Sequence, residues 1–394
     1  MTVANQLSNR TGVVIAVLAA ATLAYGAQPD SVRLGDEALQ KHALQKLVAD
    51  LRAEQKLVGL AATVMADGEV VAAAADGERK LGSGVPVEVG DRWHLGSITK
   101  SITATMIARL VERGDLDWQS TVGQTLGEEG VHVDWRGVTL SQLLTHTAGA
   151  PANFSLAVRI QRPAEGRPTV DARRQAVLGV LVKPPLTPPG EAFRYSNVGF
   201  TIAGAMAEAA TGESWEDLVR REVFEPLGLE HAGFGPPKSR APEFLQPRGH
   251  VTRLGFKVAV ADTADNTPIM GPAGTACMTL EELCRYGNEH LRGQRGEGKL
   301  FTAASYQRLH TPVLDNYGCG WVVTQRDGKV VSCWHNGSNT MWYAYLTFDL
   351  ESNLVVAVAA NDGDIPAAEK AAVRIAAAAS DIVDVKKAGA GQAD

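Results

Sequence analysis

Three segments of the 394-residue chain carry side chains able to do covalent chemistry. The first is Trp93-His94-Leu95-Gly96-Ser97-Ile98-Thr99-Lys100. It runs into a stretch where Ile98, Ile102, Met106 and Leu110 recur every four residues and Gly114 stands as a stop. In a helix of that phase Ser97 lies in the first turn, where unpaired backbone N–H groups favour developing negative charge. Lys100 follows at i+3 on the same face, within reach of the Ser97 hydroxyl. A serine hydroxyl is a weak nucleophile until a base takes its proton. A lysine amine is such a base only where desolvation or nearby positive charge lowers its pKa. The motif alone is weak, since about one Ser-x-x-Lys arises by chance in a chain this long.

Order and context add to it. Arg194-Tyr195-Ser196-Asn197 follows Gly190-Glu191 and precedes a helical stretch, and His335-Asn336-Gly337 closes a strand. Together the three segments resemble the Ser-x-x-Lys, Tyr-x-Asn and Lys/His-x-Gly elements of the penicillin-recognising serine hydrolases, in particular their class C β-lactamase-like branch. That branch also holds D-alanyl-D-alanine carboxypeptidases, D-aminopeptidases and β-lactamase-like esterases. Leu143-Leu144-Thr145-His146-Thr147-Ala148-Gly149, Pro226-Leu227-Gly228-Leu229, Gly271-Pro272-Ala273-Gly274 and Tyr317-Gly318-Cys319-Gly320-Trp321 are similar to the family too, so the likeness covers roughly Leu44 to Asp362. Two near copies fail on context. Tyr286-Gly287-Asn288 lies inside a helix opened by Thr279 and reads as a packed face, and His94-Leu95-Gly96 directly precedes the serine.

The resemblance implies a role for each residue. Ser97 is the expected nucleophile. Lys100 would deprotonate it or keep the neighbouring phenol acidic, and Tyr195, its pKa lowered by Lys100, would be general base and acid. Asn197 would hold the Lys100 amine and a substrate amide, or merely cap the following helix. The oxyanion hole would be the backbone N–H groups of Ser97 and of Ser338, just after Gly337, where glycine permits close approach. His335 stands where the commonest β-lactamase pattern has lysine. An imidazole is neutral for much of the time near pH 7, which weakens the charge that would anchor a substrate carboxylate. Asn336, lacking a hydroxyl, points the same way, toward esters, amides or D-amino-acid peptides. Activity on carboxylate-bearing substrates is then expected to fall as pH rises through the imidazole pKa. With no Glu-x-x-Leu-Asn loop, deacylation falls to Tyr195. His146 reads as structural and Arg194 as an ion-pair or rim residue, while Trp342 and Tyr343 suit either the pocket or the core.

The elements that must position these residues follow from periodicity. A helix is expected over 36–54 with Leu44, Leu47, Val48 and Leu51 on one face. Strands over 59–65 and 70–75 flank a hairpin at Ala66-Asp67-Gly68. The chain reads as mostly helical from 97 to 291, with capping boxes at Thr139/Gln142, Ser214/Asp217 and Thr279/Glu282. Strands return over 320–324, 329–335, 340–348 and 353–360, before a helix over 366–382. The expected fold is α/β of the α+β type: an antiparallel sheet flanked by the N- and C-terminal helices, plus an inserted mostly helical lobe, with the active site in the cleft between them. One catalytic unit spans 36–385, its α/β lobe about 36–95 and 310–385 and its helical lobe about 97–300. A disordered tail is expected over 386–394.

Composition bounds the rest. At 45% hydrophobic, 21% charged and net charge −6 the chain is globular. It has no Lys/Arg-dense stretch to grip nucleic acid. Residues 1–26 have the layout of a signal peptide: Arg10, an apolar run Val13–Ala24, and small Ala24 and Gly26 before the cut. That run is shorter than the ~20 residues of a membrane span, so a secreted or periplasmic protein is expected, with no stable span after leader cleavage. Cys319 and Cys333 flank a turn. A three-residue loop at Gln325–Asp327 would set them opposite for a disulfide, whereas a two-residue Asp-Gly turn would not; Cys277 and Cys284 read as core. Nine His without a His-Glu-x-x-His, and no Cys-x-x-Cys pair, give no metal site. No cofactor is expected, and a Gly-x-Ser-x-Gly elbow is missing around Ser97. The expected partner is a small-molecule or short peptide substrate, with oligomeric state open. The alternatives are a non-catalytic binding protein on the same fold and a true class C-like β-lactamase.

Overall fold

The computed structural model describes residues 36–237 and 246–384, so the expected leader and tail lie outside the described residues. Six helices have fifteen residues or more: α1 (Asp36–Glu54), α2 (Thr99–Arg113), α3 (Arg167–Leu181), α4 (Asn197–Thr211), α5 (Leu280–Gln294) and α6 (Ile365–Val383). The strands are β1 (Gly59–Ala66), β2 (Glu69–Gly77), β3 (Arg92–His94), β4 (Gly233–Phe234), β5 (His250–Arg253) and β6 (Phe256–Ala259). They continue with β7 (Ala276–Thr279), β8 (Val322–Arg326), β9 (Lys329–Ser338), β10 (Tyr343–Asp349) and β11 (Leu354–Ala360).

Both ends of the chain build one antiparallel sheet, in the order β2-β1-β11-β10-β9-β8. The β1–β2 turn is tight because Asp67 and Gly68 both take positive φ, as the favoured two-residue hairpin turn requires. β11 is buried at every position and lies between β1 and β10. One face of the sheet carries α1 and α6 through Leu44, Val48, Leu51, Ala368, Ala371, Ala372 and Ile375. The small side chains on α6 let that helix sit close to the strands. The other face joins the core of the inserted helices.

Three features differ from the sequence expectation. Helix α5, which chain order assigns to the inserted lobe, packs on β1, β10 and β11. Gly287 makes that possible, since a Cβ there would lie 2.7 Å from Val355 Cγ1. The middle of the chain is less helical than expected, because it also holds a small sheet β3-β7-β4 and the β5–β6 hairpin. The β8–β9 turn is the two-residue form, Asp327-Gly328, with a bulge at Thr324/Gln325. Cys333 is therefore opposite Val323, Cys319 lies before the strand, and the four cysteines are buried free thiols.

Two of these elements set up the cleft. β3 pairs with β7, and the Leu95 amide donates to Ala276 O at 2.9 Å, which fixes the backbone just before Ser97. β9 outruns its outer neighbour: β8 begins only at Val322, opposite Trp334. Among the described residues His335–Ser338 are thus paired only to β10, and no strand lies on their other edge.

Candidate active site

Ser97 sits one step earlier than the periodicity suggests, in a 3₁₀ turn Gly96–Ile98 that precedes α2. Gly96 takes φ +49 to make this turn, and Gly114, at φ +83, ends the helix as expected. The turn still lays Ser97 beside Lys100, whose Nζ is 2.9 Å from Ser97 Oγ. The same Nζ is 2.7 Å from Asn197 Oδ1 and 2.8 Å from Ala273 O.

Lys100 is fully buried, and desolvation drives its amine well below the usual lysine range. A neutral amine has two N–H donors and one lone pair. The Asn197 amide oxygen and the Ala273 carbonyl can only accept, so they take the two hydrogens. The lone pair is left for the hydroxyl proton of Ser97. This partner set makes Lys100 fit to deprotonate Ser97 directly, the first of its two expected roles.

Asn197 opens α4 but does not cap it. Ser196 is the N-cap, its Oγ accepting from the Gly199 amide at 2.8 Å. The Asn197 side chain is thereby free to bridge, with Oδ1 on Lys100 and Nδ2 donating to Asn153 Oδ1 at 2.7 Å. Asn153 and the Ala273 carbonyl are site components that the sequence reading missed. Gly271-Pro272-Ala273-Gly274 is family-like, but only the tertiary contact reveals which atom matters.

Tyr195 departs from expectation. Its phenol lies near Ser97, and Lys100 Nζ lies 4.8 Å from its ring centroid. The residue is 38% exposed, yet its phenol end is enclosed, and that desolvation pushes the phenol up. A neutral Lys100 supplies no charge to lower it. Burial thus favours the neutral amine at Lys100 and the neutral phenol at Tyr195.

His335 is corrected as well. Its Nδ1 faces the Asn336 carbonyl, which can only accept, so Nδ1 carries the proton. Nε2 then accepts from the Tyr317 hydroxyl at 3.0 Å. Burial lowers the imidazole to about 3. It is neutral through the physiological range, and the expected pH dependence through His335 has no basis. Asn336 points the other way, donating to Glu369 Oε1 on α6 at 3.1 Å. Trp342 and Tyr343 are 2% and 1% exposed and belong to the core.

Gly337 and Ser338 meet the serine turn closely. A Cβ on Gly337 would lie 2.0 Å from Leu95 O and 2.4 Å from Ser97 N, and one on Gly96 would lie 2.3 Å from Ser338 N. Only two glycine backbones can approach this far, and they bring the Ser97 and Ser338 amides side by side. The structure thus gathers Ser97, Lys100, Tyr195, Asn197, His335, Gly337 and Ser338 in one place.

A six-stranded antiparallel sheet beside a helical region, with a buried lysine bonded to a turn serine, defines a class of serine hydrolases. The chain belongs to the Beta-lactamase family, whose model matches residues 44–380. It is similar to penicillin-binding protein 4 of Amycolatopsis lactamdurans, with 30% identity over 328 residues, 79% of this chain and 83% of the relative. It is also similar to esterase EstB of Burkholderia gladioli, 32% identical over 190 residues, 46% of this chain and 48% of that protein. The crystal structure of SurE superposes with TM-score 0.70 at 25% identity, covering 87% of this chain and 77% of that one. The D-amino acid amidase from Ochrobactrum anthropi SV3 shares the fold at TM-score 0.67 and 18% identity, covering 88% and 99%.

Proposed function

We propose that this protein is an exported hydrolase that works through an acyl-serine at Ser97 on esters, amides or D-amino-acid peptides whose recognition needs no anchored carboxylate. The observation that carries the mechanism is the partner set of Lys100 Nζ, two carbonyl acceptors and the Ser97 hydroxyl. Ser97 Oγ attacks the substrate carbonyl carbon as its proton passes to Lys100. The oxyanion accepts from the Ser97 and Ser338 amides. The bond to the leaving group breaks, and the Tyr195 hydroxyl gives that group its proton.

The acyl-enzyme then holds a lysine ammonium and a tyrosinate, each a poor resident of a buried site when alone and stabilised by the other. The tyrosinate takes a proton from water, the hydroxide attacks the acyl carbon, and Ser97 departs with the proton of Lys100. The acid product leaves, and the neutral amine and phenol are restored.

The substrate preference rests on His335. Both ring nitrogens are engaged and the ring is neutral, so it offers a carboxylate neither charge nor a free N–H. The esterase and amidase names among the relatives are consistent with this reading. The test is a hydrolysis panel on purified protein: short-chain p-nitrophenyl esters, a D-amino-acid anilide, a chromogenic cephalosporin and D-alanyl-D-alanine. Esters and anilides should turn over fastest, and faster turnover of the last two would overturn the preference. A fluorophosphonate should label wild type and not Ser97→Ala; equal labelling of both would end the acyl-serine reading.

A further inference from the structure

His146 follows a five-residue helix, Leu140–Leu144, in a turn where it takes φ +60. Left-handed backbone is costly for a residue with a β-carbon. What this conformation achieves is a grip on both neighbours of Tyr195. The His146 carbonyl accepts from the Arg194 amide at 2.7 Å. Its Nδ1 accepts from the Ser196 amide at 3.1 Å. Between these two bonds the imidazole lies against the Tyr195 ring, with centroids 4.4 Å apart and a tilt of 43°.

The ring also meets Tyr317 at 4.7 Å, the phenol that donates to His335, and Phe200 packs at 5.1 Å. His146 is thus wedged between the Tyr-x-Asn segment and the His-x-Gly strand. Burial keeps the imidazole neutral. With Nδ1 accepting, the proton is on Nε2, and among the described residues that buried N–H has no hydrogen-bond partner. An unpaired buried donor is a second cost. A leucine would fill the space without the unpaired donor, but it would bear the same left-handed backbone and would give the Ser196 amide no acceptor.

We infer that His146 is the positioning residue of Tyr195: it fixes the backbone on both sides of the phenol and buttresses its ring, so that the hydroxyl is held near Ser97. This rests on reading Tyr195 as the proton-transfer group. A p-nitrophenolate leaves without needing a proton, so acylation by p-nitrophenyl acetate depends on Lys100; Tyr195 then loses its proton to solvent beside the new Lys100 ammonium, and decay of the acetyl-enzyme depends on that tyrosinate. A residue acting through Tyr195 should therefore slow the second step and spare the first.

The experiment uses His146→Leu and His146→Asn, each alone and combined with Tyr195→Phe. Asparagine tolerates the left-handed backbone and keeps a short acceptor, so it guards against a leucine variant that fails to fold. Burst rate gives acylation, and loss of the acetyl adduct by intact mass gives deacylation. The expected result is about tenfold slower deacylation in His146→Leu, partial rescue in His146→Asn, and burst rates within about twofold of wild type. In the Tyr195→Phe background the His146 substitutions should add less than twofold. Slowing of both steps together, equal factors in both backgrounds, or unchanged deacylation would overturn the assignment. Full deacylation in Tyr195→Phe alone would instead remove Tyr195 from the mechanism, a separate failure.

Discussion

Gly337→Ala isolates the proposed oxyanion hole. Gly337 does not take a positive φ, so alanine suits the backbone and the effect is one of space alone. The added Cβ would lie 2.0 Å from Leu95 O, 2.4 Å from Ser97 N and 2.9 Å from Gly96 C. All three are backbone atoms, so no flexible side chain can swing aside. Ordinary contact begins near 3.4 Å, and the strand end and the serine turn must part by about 1.4 Å. β9 is held by its ladder to β10, where Gly337 faces Ala344, so the separation falls at the gap between the Ser97 and Ser338 amides. A donor has to lie about 2.7–3.1 Å from the oxyanion, and a shift above 1 Å is equivalent to losing one. That costs about 10²–10³ in kcat, or ~3–4 kcal/mol of transition-state stabilisation. Overpacking should cost about 1–3 kcal/mol of stability, leaving a folded protein to assay. Steady-state kinetics on a p-nitrophenyl ester, with thermal unfolding alongside, read both quantities. A folded variant with kcat within about threefold of wild type would refute the oxyanion assignment.

Other outcomes follow from the same geometry. Lys100→Met should slow acylation by orders of magnitude. In wild type, acylation should fall as pH drops through the depressed amine pKa, because the neutral form is the base; a pH limb that survives in Lys100→Met would assign it to another group. His146, His290, His310 and His335 are all held neutral by burial, His310 and His335 down to about 3. Unfolded imidazoles bind protons below about 6.5, so between that pH and about 3 the unfolded state binds more protons. Stability should be complete above pH 6.5 and fall on acidification, by up to ~1.4 kcal/mol per pH unit for each histidine. A melting temperature constant from pH 7 to 4 would contradict it. With free buried thiols at Cys277, Cys284, Cys319 and Cys333, denaturation without reductant should expose four groups to Ellman's reagent, and two would restore a disulfide.

Much of this protein is legible along its sequence. The hairpins, the capping boxes at Thr139 and Thr279, the apolar run of β11 and the terminal helices depend on residues within a few positions of one another. Periodicity and turn chemistry record such local choices directly. The order of Ser97, Lys100, Tyr195, Asn197 and His335 likewise pointed to one chemistry. What needed the tertiary structure is whatever arises from burial and from atoms distant in sequence. Ionisation is the clearest case, since His335 and Tyr195 are neutral because of what surrounds them, and no spacing rule reports desolvation. The Ala273 carbonyl and Asn153 belong to the site by contact, and backbone atoms carry no residue signature. The Gly96–Gly337 approach, α5 on the sheet and the Cys333–Val323 register were decided by packing, in which a glycine's missing methyl matters only once its opposite neighbour is known.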